Sequence, residues 1–166
     1  MLLDKLKGGD RRSIGRADEV AAEVLAQPAL FPFLMAGILN DDSLVRMRSA
    51  DAVEKVTRVR PGWLRPYRAK LFALAEGSSE KEVRWNIVQI LSRVKWRRGD
   101  QRRLMDLLIG FLQDGSSIVK TCSMQALADL AGRDETIREE VVRIIEGAMK
   151  TGTPAMKARA RKILKR

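Results

Sequence analysis

Few residues in this chain of 166 amino acids are equipped to make or break bonds: it has no histidine and a single cysteine, Cys122. Without imidazole, neither a Ser-His-Asp nor a Cys-His pair can form, and the ring ligands of most catalytic zinc sites are missing. One thiol builds neither a metal-thiolate cluster nor an internal disulfide. Gly77, Gly115 and Gly152 stand singly, so a P-loop and a dinucleotide fingerprint are also absent. No metal and no cofactor is expected. The chemistry that survives is a carboxylate beside polar or cationic groups, with Asp51 near Arg48 and Asp129 near Gln125 as candidates. An ordinary ion pair explains the same residues.

Residues suited to binding are more plentiful. Trp85, Asn86, Gln89 and Arg93 fall on one face of a helix, and Trp and Arg are the types in which interfaces concentrate their energy. The corresponding positions in neighbouring repeats include Arg48, Lys55 and Gln125, which extend the candidate partner-binding face. Solvated amides and a Trp packed over a neighbouring helix are the competing reading.

A net charge of +11 is concentrated in two stretches. Segment 61–97 has eight basic against three acidic residues and segment 135–166 has nine against four, whereas 1–27 and 98–134 are balanced. The first basic zone runs through Arg58, Arg60, Arg65, Arg68 and Lys70. The sequence reading places Arg93, Lys95, Arg97, Arg98, Arg102 and Arg103 at the opposite edge of the same helix pair. Trp63, Tyr67, Trp85 and Trp96 are interleaved with these cations, a combination that can grip phosphates and stack bases. Arg65, Arg68, Arg97, Arg98 and Arg102 are therefore candidate polyanion contacts. A solvated, solubilising end accounts for the second zone.

A repeat positions all of these residues. Val45-Arg46, Val83-Arg84, Val119-Lys120 and Met156-Lys157 recur at intervals of 38, 36 and 37 residues. Four residues beyond each cation stand Ala50, Val88, Met124 and Arg161, and seven beyond stand Val53, Leu91, Leu127 and Leu164. Those offsets trace one stripe of a helix. A second apolar helix precedes it, marked by Leu34 and Ile38, Leu108 and Leu112, and Ile145 and Met149. Each unit is thus a helical hairpin. Helices are predicted near 2–7, 11–26, 29–39, 43–58, 64–76, 80–95, 101–113, 117–131, 137–149 and 154–165. Capping boxes are expected at Ser79–Glu82 and Thr136–Glu139, and a Thr-Pro start at Thr153-Pro154. Arg161 breaks the apolar stripe only in the last copy, as a terminal unit with no following neighbour would.

Two stacked helices per 36 to 38 residues, with Asp or Asn in the turn and Val-Arg entering the second helix, resemble the HEAT-repeat family. Asn40-Asp41-Asp42 and Asp114-Gly115 match its turns well, whereas Glu76-Gly77-Ser78-Ser79 is longer by about two residues and Thr151-Gly152-Thr153 lacks the acid. The similarity covers about 29–166 in four units, 28–60, 61–97, 98–134 and 135–166, with 1–27 a degenerate fifth unit or cap of the same single domain. It implies an all-α, right-handed superhelix of four to five hairpins, whose second helices line a concave surface that binds a macromolecule. It also implies a ladder in which turn acids meet the Val-Arg cations, so Arg46, Arg84, Lys120 and Lys157 are structural. Some DNA glycosylases share HEAT-like repeats and a concave Asp, Trp and Arg, but no catalytic motif aligns with them residue by residue.

The expected function is therefore a non-catalytic scaffold for a protein partner, with nucleic-acid binding as the alternative and glycosylase-like activity as a remote third. The longest apolar run, Ala29 to Leu39, contains Pro32 and is shorter than the roughly 20 residues that span a bilayer. With no leader pattern at Met1–Lys5, a cytoplasmic location is expected.

Overall fold

The computed structural model describes residues 1–165. Among them are nine α-helices, four short 3-10 segments and no strand. The helices are α1 (Ala17–Ala26), α2 (Phe31–Gly37), α3 (Ser43–Val59), α4 (Arg68–Gly77), α5 (Lys81–Leu91), α6 (Arg98–Phe111), α7 (Ser117–Arg133), α8 (Arg138–Thr151) and α9 (Pro154–Leu164). Helices α1, α3, α5, α7 and α9 pack side by side in that order, while α2, α4, α6 and α8 each pack on the second helix of their own hairpin. Helix α1 belongs to the second-helix layer, and the 3-10 turn Leu2–Leu6 stands where its first helix would be. The accessible surface of 9024 Å² exceeds the ~8300 Å² of a typical folded monomer of this mass, as a stacked array requires.

The stripe read from the repeat is the core. Val53, Val88, Leu91, Met124 and Leu127 are fully buried, and Ala50 lies with them. Arg161, at the equivalent position of α9, is exposed. Between α2 and α3 the approach is close enough to demand glycine, since a Cβ on Gly37 would stand 2.2 Å from Ser49 Oγ. Aromatic pairs fasten the connections: the Phe31 ring lies 5.3 Å from Trp63 and 5.7 Å from Tyr67 of the next unit, and Phe72 lies 5.5 Å from Trp96 at the end of its own hairpin.

The ladder between units forms in its first two rungs. Arg46 Nε donates to Glu80 Oε1 at 2.5 Å, and its Nη1 caps the carbonyls of Asn40 and Asp41. Arg84 meets Asp114 at 3.0 Å and donates to the Ser78 carbonyl. Lys120 finds no carboxylate among the described residues, because its turn, Thr151-Gly152-Thr153, has none. In repeat register Thr153 of α9 stands where Glu80 of α5 does, at the N-cap. Thr153→Asp keeps a capping oxygen and supplies the missing acid. It should raise stability by about 0.5 kcal/mol, read as a small rise in Tm that the added Lys120→Ala removes.

Several element boundaries differ from the periodicity for local reasons. Residues 11–16 are not helical; they belong to a loop containing Gly8, Gly9 and Gly15, all at positive φ. Pro61 and Pro66 hold 61–67 in a 3-10 turn and delay α4 to Arg68. Helix α5 ends at Leu91, short of the predicted 95. The box at Ser79 does not form, since Glu80 is the N-cap and its carboxylate is taken by Arg46 and Arg11. Nor does Thr136 cap α8: Asp134 caps a preceding 3-10 turn instead. Thr153 caps α9 as expected, accepting from the Met156 amide.

Candidate functional site

One face of the second-helix layer opens into a groove of about 1310 Å³. Its walls come from the C-terminal halves of α3, α5 and α7, from α9, and from one face of α8. Counted from each repeat cation, the residues at offsets five and nine line it, as Gln89 on α5, Arg93 just beyond its end, and Gln125 and Asp129 on α7. Offset two contributes Cys122 and Arg159. Five arginines, at 58, 93, 133, 138 and 159, line the groove against the carboxylates of Asp129 and Glu146. Apolar floor is provided by Val141, Val142, Ile145 and Ile163, and no aromatic side chain takes part among the described residues.

Several of these cations are held internally. Glu54 is 2 % exposed and accepts from Arg93 Nη2 and from Arg58, whose Nε lies 2.8 Å away. Arg93 Nη1 also donates to the Glu54 carbonyl at 2.8 Å and to Thr57 Oγ1 at 3.1 Å, so it clamps α5 to α3. Arg138 pairs with Glu135. Arg133 and Arg159 meet no carboxylate among the described residues. Arg159 Nη1 instead reaches Gln125 Oε1 at 3.3 Å, while Gln125 Nε2 donates to Asp129 at 2.9 Å. Burial pushes the pKa of the Cys122 thiol up, against a smaller opposing pull from Arg159.

The largest departure from the sequence reading is Arg48, the α3 residue at offset two. Far from standing on an open surface, it is 2 % exposed, with its guanidinium enclosed by the N-terminal loop 7–16. Nη1 donates to the carbonyls of Leu6 at 2.8 Å and Gly8 at 2.6 Å, Nη2 to Asp10 at 3.0 Å, and Nε to Ser13 at 3.1 Å. Every hydrogen bond is to backbone. Gly15 sits against the guanidinium with φ of +55°, and a Cβ there would lie 2.9 Å from Arg48 Cζ. By register this loop covers the groove face over the first units.

The other candidates divide similarly. Asn86 is 4 % exposed and donates to the Glu82 carbonyl, so it offers nothing to a partner. Lys55 bridges Asp51, at 2.7 Å, and Asp18 of α1; burial acts against its charge, but the two carboxylates outweigh it and its pKa is raised. Trp85 is half-buried, one turn from Gln89 on the same stripe. Asp51 and Asp129, the carboxylates considered for catalysis, are engaged by Lys55 and Gln125 respectively, and neither stands beside an aromatic ring in the groove. Sequence reasoning missed Arg133 and Arg159 as groove residues, and Glu54 as the buried partner of Arg58 and Arg93. For Arg159, the repeat register alone would have sufficed.

The basic zone is also rearranged. Both of its loops lie at the open end of the α4–α5 hairpin, on one edge and not on opposite edges, since an antiparallel hairpin begins and ends at the same side. Arg102 pairs with Asp106 and Glu140, and Arg103 pairs with Glu76 while lying 4.6 Å over the Phe72 ring. Arg65, Arg68, Arg97 and Arg98 have no carboxylate partner among the described residues. Trp63, Tyr67 and Trp96 are spent on packing, the last donating Nε1 to the Leu91 carbonyl.

The sequence matches no protein-family model and no curated protein. Among solved structures it is similar to a designed armadillo repeat protein, with a TM-score of 0.66 and 17 % identity over 99 % of this chain and 79 % of that one. The fold is a HEAT/armadillo-type α-solenoid. At this identity the likeness establishes architecture alone, and the side chains described above must carry any functional conclusion. Among the described residues of the solenoid, no helix is long and apolar enough to cross a membrane, and no cluster of His, Cys, Asp or Glu could hold a metal ion.

Proposed function

We propose that the solenoid is a non-catalytic scaffold that binds an irregular, acidic polypeptide segment in the open groove between α3, α5, α7, α8 and α9. One observation supports this most: the same face already holds an irregular segment, Leu6 and the loop 7–16, through four backbone carbonyls on Arg48. Arg159 occupies the equivalent offset in the last unit, and there it faces an open groove. Backbone capture by arginine selects a chain with unpaired carbonyls, and Arg133 and Arg159, which meet no carboxylate among the described residues, favour acidic side chains on it. The 1310 Å³ of space is above the usual ~300–1,000 Å³ of small-molecule pockets and suits several residues of peptide. Gln89 and Gln125 can pair with the peptide backbone between arginines, and Trp85 can pack on residues leaving the groove.

Titration of fluorescent twelve-residue acidic and neutral unstructured peptides by anisotropy tests the reading. At least one acidic peptide should bind, and Arg159→Glu with Arg133→Glu should weaken it about tenfold or more, while Arg161→Glu on the exposed outer side should not. Absence of binding by every peptide, or indifference to the groove pair, would overturn it.

A further inference from the structure

The two long edges of the solenoid differ in charge. Turns within hairpins carry Asp41, Asp42, Glu80 and Asp114, and the repeat cations Arg46 and Arg84 neutralise two of these acids. Connections between hairpins lie on the other edge. Here Arg60, Arg65, Arg68 and Lys70 come from the α3–α4 connection and the start of α4, and Lys95, Arg97 and Arg98 from the α5–α6 connection. None of the seven has a carboxylate partner among the described residues. All but Arg68 are exposed, and Arg68 Nε is buried without a hydrogen-bond partner, leaving an arginine donor unused. The Phe72–Trp96 contact at 5.5 Å holds α4 to the α5–α6 connection, one turn from Arg68 and next to Arg97. Asp134, kept below its ordinary pKa mainly by hydrogen bonds from Thr136 and Gln101, closes this basic stretch at the next connection.

We propose that this edge, from Arg60 to Arg98, binds the phosphate backbone of a double-stranded nucleic acid without reading its sequence. Arginine predominates over lysine, and its planar fork matches phosphate oxygens. Neighbouring loops one helix spacing apart, about 8–10 Å, span about three phosphates of one strand. The aromatic residues that could have stacked on unpaired bases are committed to the protein's own packing, which leaves the backbone of a duplex as the fitting partner. This surface is separate from the groove, so neither proposal depends on the other.

The test is fluorescence anisotropy of the full chain with labelled 20-base-pair DNA and RNA duplexes, a single strand, and polyglutamate. Binding to a duplex at 50 mM salt is expected, with log K falling against log salt at a slope of about −3 or steeper, as three or four phosphate contacts require. Arg65→Glu, Arg97→Glu and Arg98→Glu together should reduce affinity at least thirtyfold, and Lys70→Glu with Lys95→Glu should reduce it by a smaller factor. The groove pair Arg133→Glu and Arg159→Glu should change it less than threefold. These edge residues are exposed and unpaired, so circular dichroism should show each variant folded. Failure of both duplexes to bind, unchanged affinity in the edge variants, or equal or tighter binding of polyglutamate or the single strand would overturn the proposal.

Discussion

Arg48→Ala should destabilise the protein by about 2–4 kcal/mol, because four carbonyls lose one charged donor group and the loop they belong to loses its anchor. The figure is less than the sum of four buried losses since the loop can open and let water satisfy its carbonyls. That opening supplies a second readout. Lys7, Arg11, Arg12 and Arg16 lie in the loop and are exposed, and the freed backbone can now enter the trypsin cleft, so nicking there should accelerate about tenfold or more while cleavage elsewhere follows global stability. Arg48→Lys should recover only part of the loss, because a point charge cannot reproduce a fork that meets four acceptors. Gly15→Ala should be strongly destabilising in the native background. In Arg48→Ala it should retain only the cost of its positive φ, since the guanidinium it would strike is gone. Equilibrium denaturation within about 0.5 kcal/mol of the native protein for Arg48→Ala would show that the loop is not anchored in this way.

Glu54→Gln is the second large effect. The carboxylate is 2 % exposed, serves two arginines, and joins α3 to α5 through Arg93, which is itself 21 % exposed. Breaking such a pair by removing one charge costs about 3–5 kcal/mol when both partners are dry, and the access of water to Arg93 places the expectation near 3. Urea denaturation gives the value, and a double-mutant cycle with Arg93→Met isolates the pair: the double variant should be less destabilised than the sum of the singles. Arg93→Glu would set two carboxylates against each other in a buried site, so loss of binding in that variant would report unfolding. Arg97 and Arg98 do not carry this burden, which is why the charge reversals on the edge stop at them.

What the sequence could and could not disclose follows from what repeats and what does not. The ladder was legible at Arg46 and Arg84 because cation and acid recur one unit apart, and its interruption at Lys120 was legible in the acid-free turn. The groove rows at Gln89, Gln125 and Arg93 followed from helical register. Arg48 was misplaced because its partner is a non-repeating loop whose glycines at positive φ leave no mark in hydrophobic spacing. Glu54 shares its offset with Ser92 and Ala128, so nothing in the alignment singles it out as a buried hub. The tryptophans near the basic zone satisfied the pattern of a stacking surface, yet Phe31 and Phe72, too distant in sequence to be read as their partners, had already claimed two of them.

The loop also alters how the array should fold. In a one-dimensional stack each unit couples to its neighbour alone, and unfolding can travel inward from a frayed end. Side-chain hydrogen bonds between units here fit that scheme, with sequence separations of 27 to 42 residues, apart from the bond of Arg11 to Glu80, which spans 69. The Arg11 guanidinium thus reaches past the second unit to the N-cap of α5 in the third. A next-nearest-neighbour link of this kind adds a small coupling across the first three units, so their amide protons should exchange more nearly together than those of the last hairpin, beyond the broken rung at Lys120.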